Sequence, residues 1–143
     1  MIEPIVYSKG FPEALQLFIT LNDIKPTFLY EFCNPPNSAG LTSEGWTGFS
    51  YYQNFFISRI QPWMEPQVTQ LLDFLDRIGG MYLNRWSDAL VHAAVAQIFM
   101  PKERVLHFSD FEYKHSNELA HKGVAMHWGE GNKTRFWGYV KPT

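Results

Sequence analysis

A chain of 143 residues has the length of a single domain, for which about 100–200 residues is usual. Hydrophobic residues make up 45% and charged residues 18%, enough apolar surface to offset the entropy of ordering, so wholesale disorder is excluded. Twelve basic against fourteen acidic residues give a net charge of -2, which lacks the broad positive field that phosphate backbones require and excludes nucleic acid as an expected partner.

Met1–Lys9 contains Glu3, Pro4 and Lys9 and no continuous apolar run, so no secretory segment is expected there. A first helix is expected near Phe11–Asn22, where Pro12 suits the first helical position and Leu15, Phe18, Ile19 and Leu21 form the apolar side. Thr27–Cys33 is a short aromatic run of strand type, followed by a loop in which Asn34, Pro35, Pro36, Asn37, Ser38 and Gly40 gather turn formers. Cys33 is the only cysteine, which forbids an intrachain disulfide and reads as a buried apolar thiol. Gly48–Ile60, rich in Phe, Tyr and Ile, is expected to be a central strand. From Pro62, the spacing of Val68, Leu71, Leu72, Leu75 and Ile78 predicts a second helix stopped by Gly79-Gly80.

A third helix is expected from Ser87 or Asp88 to Met100, ended by Pro101, with Val105–Phe108 returning as a strand. Ala89–Met100 is the longest apolar stretch, but His92 and Gln97 interrupt it and it falls short of the about 20 residues of a membrane span. Helices alternating with apolar strands indicate an α/β layered core. Residues 1–115 are expected to form that core and 116–143 an irregular tail, with Trp128, Phe136, Trp137 and Tyr139 packing somewhere. Most aromatic residues are expected to fill the core, although flat rings also stack on sugars.

Chemistry-bearing residues concentrate between Asn54 and His115. Asp88 either caps the third helix or projects into a cleft at its start. His92, four residues on, is either a core histidine or the partner of Asp88 in an oriented imidazole–carboxylate pair. Asp110, Glu112 and His115 are either a solvated turn or a cation-binding set. Asn132-Lys133-Thr134 fits an N-glycosylation acceptor and would suit a luminal protein. No phosphate-binding loop, dinucleotide fingerprint or Gly-x-Ser-x-Gly is present.

Asp73-Phe74-Leu75-Asp76, Gly79-Gly80, Tyr82 and Arg85-Trp86-Ser87-Asp88-Ala89-Leu90-Val91-His92 form a collinear block. It resembles the Tyr-Leu-Asp, Gly-Gly, Arg-Trp-Gly-Asp-Ala-Pro-Val-His block of the fungal α-1,2-mannosyltransferases, the glycolipid 2-alpha-mannosyltransferases of glycosyltransferase family 15. The register continues through Phe99, Pro101, His107-Phe108 and Asp110 to Tyr113 and His115, and backwards through Asn54-Phe55 and Ile57 to an echo at Tyr7 and Phe11-Pro12. The resemblance covers the C-terminal half of the catalytic domain. It implies part of a type-A glycosyltransferase fold, a mixed sheet flanked by helices.

The implied activity is transfer of mannose, with retention, from GDP-mannose to a mannosyl glycan, helped by Mn2+. The same resemblance implies Asp88 as the active-site aspartate, Asn54, Arg85 and Trp86 as substrate-binding residues, and His115 as the metal ligand. Golgi residence, with any membrane anchor outside this sequence, is implied too. Two departures stand out. Where the family carries a glutamate in Ser-Asn-Phe-Glu-Ile, this chain has Phe56 within Gln53-Asn54-Phe55-Phe56-Ile57, and a benzyl group is neither nucleophile nor base. The register also places Met1 after the family's nucleotide-binding half and its Glu-Pro-Asp metal motif, which Glu3-Pro4-Ile5 does not reproduce. A truncated transferase, inactive by itself, is therefore one expectation. A non-catalytic sugar-binding or partner-binding remnant is the alternative, and a metal-dependent hydrolase using Asp110, Glu112, His115 and His127 is a third.

Overall fold

The computed structural model describes residues 8–36, 41–51, 56–107, 113–115, 118–121 and 124–127, the last three stretches by their backbone. Helix α1 spans Phe11–Leu21, with Gly10 in a left-handed conformation ahead of it and proline in its first turn. Phe11, Leu15, Phe18 and Ile19 recur at helical spacing and are all buried. After Asp23, also left-handed, the chain crosses the end of a later helix and makes a 3-10 turn at Leu29–Phe32.

Helix α2 spans Pro66–Ile78 and buries Val68, Leu71 and Leu75. A separate 3-10 turn, Gln61–Met64, precedes it. Gly79 ends α2 at φ 75, a left-handed cap that glycine adopts without a Cβ penalty. Helix α3, Gly80–Leu83, follows at once. The Tyr82 hydroxyl donates to Asp76 Oδ1 at 2.9 Å and ties α3 back to α2, and that bond to the carboxylate raises the phenol above its usual pKa.

Helix α4, Asp88–Phe99, is buried over most of its circumference, with Ala89, Leu90, Val91, Ala93, Ala94, Val95, Ala96 and Ile98 all inside. A helix apolar over most of its circumference belongs near the centre of a structure, and four alanines let neighbours approach closely. Leu90, Val91, Ala94, Val95 and Ile98 join Phe11, Leu15 and Phe18 of α1 and Val68, Leu71 and Leu75 of α2 in one core. Phe18 meets Phe74 at a centroid distance of 5.3 Å where α1 crosses α2. The loop after Phe32 is fastened to α1 by side chains, since Leu41 N–H donates to Gln16 Oε1 at 2.9 Å and Ser43 N–H to Glu13 Oε1 at 2.6 Å.

The expected α/β core, a mixed sheet flanked by helices, does not hold. Residues 8–107, where described, contain helices and turns and no extended strand; an isolated bridge joins Cys33 to Trp46. Thr27–Cys33 is not a strand because its first amides are engaged elsewhere. Thr27 and Phe28 N–H donate to the carbonyls of Ile98 and Gln97 at 3.1 and 3.0 Å, satisfying the end of α4. The described parts of Gly48–Ile60 are irregular, and Val105–His107 does not extend into a strand. Residues 52–55 and Phe108 lie outside the described residues. Aromatic richness here reflects packing, as when Phe32 stacks on Phe49 at 4.4 Å with the rings 6° from parallel.

The described strands are β1 Tyr113–His115, β2 Glu118–His121 and β3 Val124–His127, paired antiparallel in the order β1-β2-β3. Part of the stretch 116–143 is thus regular. Cys33 is buried in the apolar core, as expected of the chain's one thiol.

Candidate functional site

The start of α4 is assembled from several parts of the chain. Trp86 is 4% exposed. Its indole N–H donates to the Lys9 carbonyl at 2.9 Å, and its ring meets Phe11 edge-on at 5.2 Å. Its other face lies so close to Gly80 that a Cβ there would stand 2.3 Å from the indole carbons. The Gly-Gly pair therefore has two separate duties: Gly79 turns the chain and Gly80 admits the ring. Trp86 contributes to a site here by fixing the backbone on both sides of it.

Arg85 and Asp88 flank that anchor. Arg85 is exposed and holds φ 56, a left-handed conformation uncommon for a residue with a Cβ. Ser87 is the N-cap of α4, its Oγ accepting from Leu90 N–H at 3.3 Å. With the cap supplied by serine, Asp88 is exposed at the first helical position, one carboxylate oxygen accepting from Ala89 N–H at 3.0 Å. The helix N-terminus favours its negative charge.

His92 lies one turn further and is half-buried. Its ring packs at 4.7 Å from Trp63 and at 5.3 Å, nearly perpendicular, from Phe56. Trp63 is held by its N–H, which donates to Ser58 Oγ at 2.6 Å. Burial lowers the His92 pKa below its usual value, and the Asp88 carboxylate opposes that shift. Burial thus disfavours the imidazolium, and the Asp88 carboxylate favours it.

Arg85, Asp88, His92, Phe56 and Trp63 thus occupy one end of α4, with Phe56 half-exposed. A cation, a carboxylate, an imidazole and an exposed ring edge can orient a hydroxyl-rich ligand and move a proton at Asp88 or His92. Trp63 is the member that sequence reasoning did not single out; a Pro-Trp pair just ahead of a helix, on the approach to His92, was the available signal. Asn54, Asp110, Glu112 and the triplet Asn132-Lys133-Thr134 lie outside the described residues. The backbone of His115 ends β1. Among the described side chains, no group of three or more His, Cys, Asp or Glu could hold a metal ion.

Comparison with known proteins bears on the same stretch. The profile of the glycolipid 2-alpha-mannosyltransferase family matches residues 21–131. The chain is 38% identical over 65 residues to a glycolipid 2-alpha-mannosyltransferase of Saccharomyces cerevisiae, covering 46% of this chain and 15% of that protein. It is 33% identical over 118 residues to glycolipid 2-alpha-mannosyltransferase 1 of Candida albicans, covering 76% and 27%. To the O-glycoside alpha-1,2-mannosyltransferase omh1 of Schizosaccharomyces pombe it is 25% identical over 130 residues, covering 79% and 33%. The matches therefore span a third or less of these relatives' lengths. No solved structure matches the chain.

Proposed function

Because the chain belongs to the glycolipid 2-alpha-mannosyltransferase family, we propose that it serves mannosyl transfer, with GDP-mannose as donor and a mannosyl glycan as acceptor. The observation that carries this reading is the exposed Asp88 carboxylate beside His92 and Arg85 at the start of α4, where Ser87 is the N-cap. A sugar hydroxyl needs an oriented acceptor for its proton, and an exposed carboxylate held at a helix end by a buried indole provides one. Arg85 offers planar donors to a diphosphate or a sugar oxygen. Asn54, as the resemblance implies, joins it in substrate binding, and Trp86 acts from the core. Golgi residence follows from the same reading; among the described residues no helix is long and apolar enough to cross a membrane.

His115 is the proposed Mn2+ ligand. The donor chemistry fits, since the strand register sets Glu118 directly opposite His115 and imidazole with carboxylate suits a divalent ion. When bound, manganese would neutralise charge on the departing diphosphate. Phe56 cannot supply the carboxylate that the resemblance implies at its position, which leaves Asp88 as the carboxylate at this end of α4 among the described residues.

The test is transfer of labelled mannose from GDP-mannose to a mannobiose acceptor, with donor binding measured by calorimetry in Mn2+. Asp88→Asn should lower transfer by about 10²–10⁴-fold while donor affinity stays within a few-fold. Equal transfer by both proteins would remove Asp88 from the chemistry. A second reading, a non-catalytic sugar-binding remnant, is favoured by the half-exposed Phe56 ring packed on His92. Glycan binding without turnover by the unaltered chain would establish it in place of the first.

A further inference from the structure

Two rings bracket His92 on the face of α4 that carries Asp88. Trp63 packs on the imidazole at 4.7 Å, tilted by 49°, and Phe56 at 5.3 Å, 75° from parallel. His92 stands one helical turn beyond Asp88, a spacing that sets the two side chains next to each other. Rings and carboxylate therefore form one strip, aromatic at one end and anionic at the other.

The aromatic end is held firmly. The backbone N–H of Trp63 donates to the Ile60 carbonyl at 2.9 Å, and its indole N–H donates to Ser58 Oγ at 2.6 Å. Ser58 in turn donates to the Arg59 carbonyl at 3.0 Å, so its hydroxyl is engaged both as donor and as acceptor. The segment 56–60 is thereby hung on the tryptophan, and Phe56 is carried with it. Core packing accounts for the buried side of Trp63. It does not account for Phe56, whose surface is 52% exposed. A ring fixed in place and open to water costs little further ordering when a ligand stacks on it.

We infer that Phe56 and Trp63 are the platform for the acceptor sugar: a pyranose lays its C–H face on Phe56 beside Trp63 and turns its hydroxyl rim to Asp88. A pyranose carries C–H groups on its faces and hydroxyls around its edge; an aromatic ring suits the first and a carboxylate accepts from the second. The inference rests on the transferase reading for the reaction, but not for the binding. At a position where the resemblance implies a carboxylate, this chain presents a ring, so a charged contact is exchanged for a stacking one. Acceptors are then ranked by the apolar face they offer, and uncharged pyranosides are favoured over acyclic polyols.

Methyl α-mannoside is the probe, titrated by NMR into the whole chain without sugar nucleotide, with mannitol as an acyclic ligand of similar hydroxyl content. The unaltered chain should bind the mannoside and prefer it to mannitol by about 3–10-fold or more, the worth of an aromatic contact. Phe56→Leu and Trp63→Leu should each weaken mannoside binding by about 3–10-fold, and Phe56→Tyr, which keeps the ring, should bind within about two-fold of the unaltered chain. Phe56 is half-exposed, so Phe56→Leu tests the platform with little disturbance of the core, and far-UV circular dichroism checks its fold. In the transfer assay the acceptor KM of Phe56→Leu should rise by the same factor while kcat falls by less and donor affinity holds.

Equal mannoside affinity in Phe56→Leu and the unaltered chain, equal affinity for mannitol, or no binding by the unaltered chain would overturn the platform. Weakened binding in Phe56→Leu without any mannose transfer by the unaltered chain would leave the platform standing and remove the transferase reading. Loss of transfer in Asp88→Asn with an unchanged acceptor KM in Phe56→Leu would do the reverse, so the two proposals fail separately.

Discussion

His92 is under two opposing influences, and their balance sets a measurable pH dependence. Packing against Trp63 and Phe56 disfavours the imidazolium, and Asp88 favours it, with burial the stronger. Its folded pKa therefore lies below the unfolded value of about 6.5. Below that pH the unfolded chain binds more protons than the folded one, so the stability His92 contributes is full above about pH 6.5 and declines as the pH falls through the folded pKa. His92→Phe removes this titration. Its melting temperature should change less than that of the unaltered chain between about pH 7 and pH 5; parallel profiles would show that the imidazole does not titrate differently on folding.

At the level of the element, the segment Gly79–Asp88 acts as a unit. The Trp86 indole occupies the space above Gly80, and its placement fixes where α4 begins and where Asp88 emerges. Gly80→Ala would press a methyl against the ring, an overpacking that should cost about 1–3 kcal/mol. Urea unfolding followed by Trp fluorescence measures it, and unchanged stability would mean that the indole has room to move. The sequence disclosed this unit well, because glycine pairs, a helix start and a tryptophan have local signatures. It disclosed α1, α2 and α4 for the same reason, through helical spacing of Leu15, Phe18, Leu71, Leu75, Val91 and Val95. It misled at Thr27–Cys33 and Gly48–Ile60, where aromatic residues suited to strands pack between helices and loops instead. No local pattern reveals that the amides of Thr27 and Phe28 meet a helix end about 70 residues later in the chain. The short strands β2 and β3 were hidden by polar, glycine-containing sequence, and with them the alignment of His115 with Glu118. Asp88 and His92 were legible as a pair at i and i+4, whereas the closure of Trp63 and Phe56 over His92 is tertiary.

Across the whole molecule, one core formed by α1, α2 and α4 coexists with apolar side chains left in water. Ile57, Ile60 and Met64 are each more than 70% exposed and follow closely on Phe56, a run that favours association with other apolar surfaces. Ile57→Lys combined with Ile60→Lys should lower binding of an apolar dye and slow aggregation, with stability altered by no more than about 0.5 kcal/mol per site. Dye fluorescence and a denaturation curve decide it; a large loss of stability would mean that these side chains belong to the core. The clasp between Thr27, Phe28 and the last carbonyls of α4 has a consequence for synthesis. The early segment has no settled place until ribosomes have delivered the late helix, so α1 and the turn after it must wait, loosely ordered, for a partner made about 70 residues afterwards. Order in this chain is then acquired late and nearly all at once, and a nascent polypeptide stalled before Ala89 would remain a substrate for chaperones.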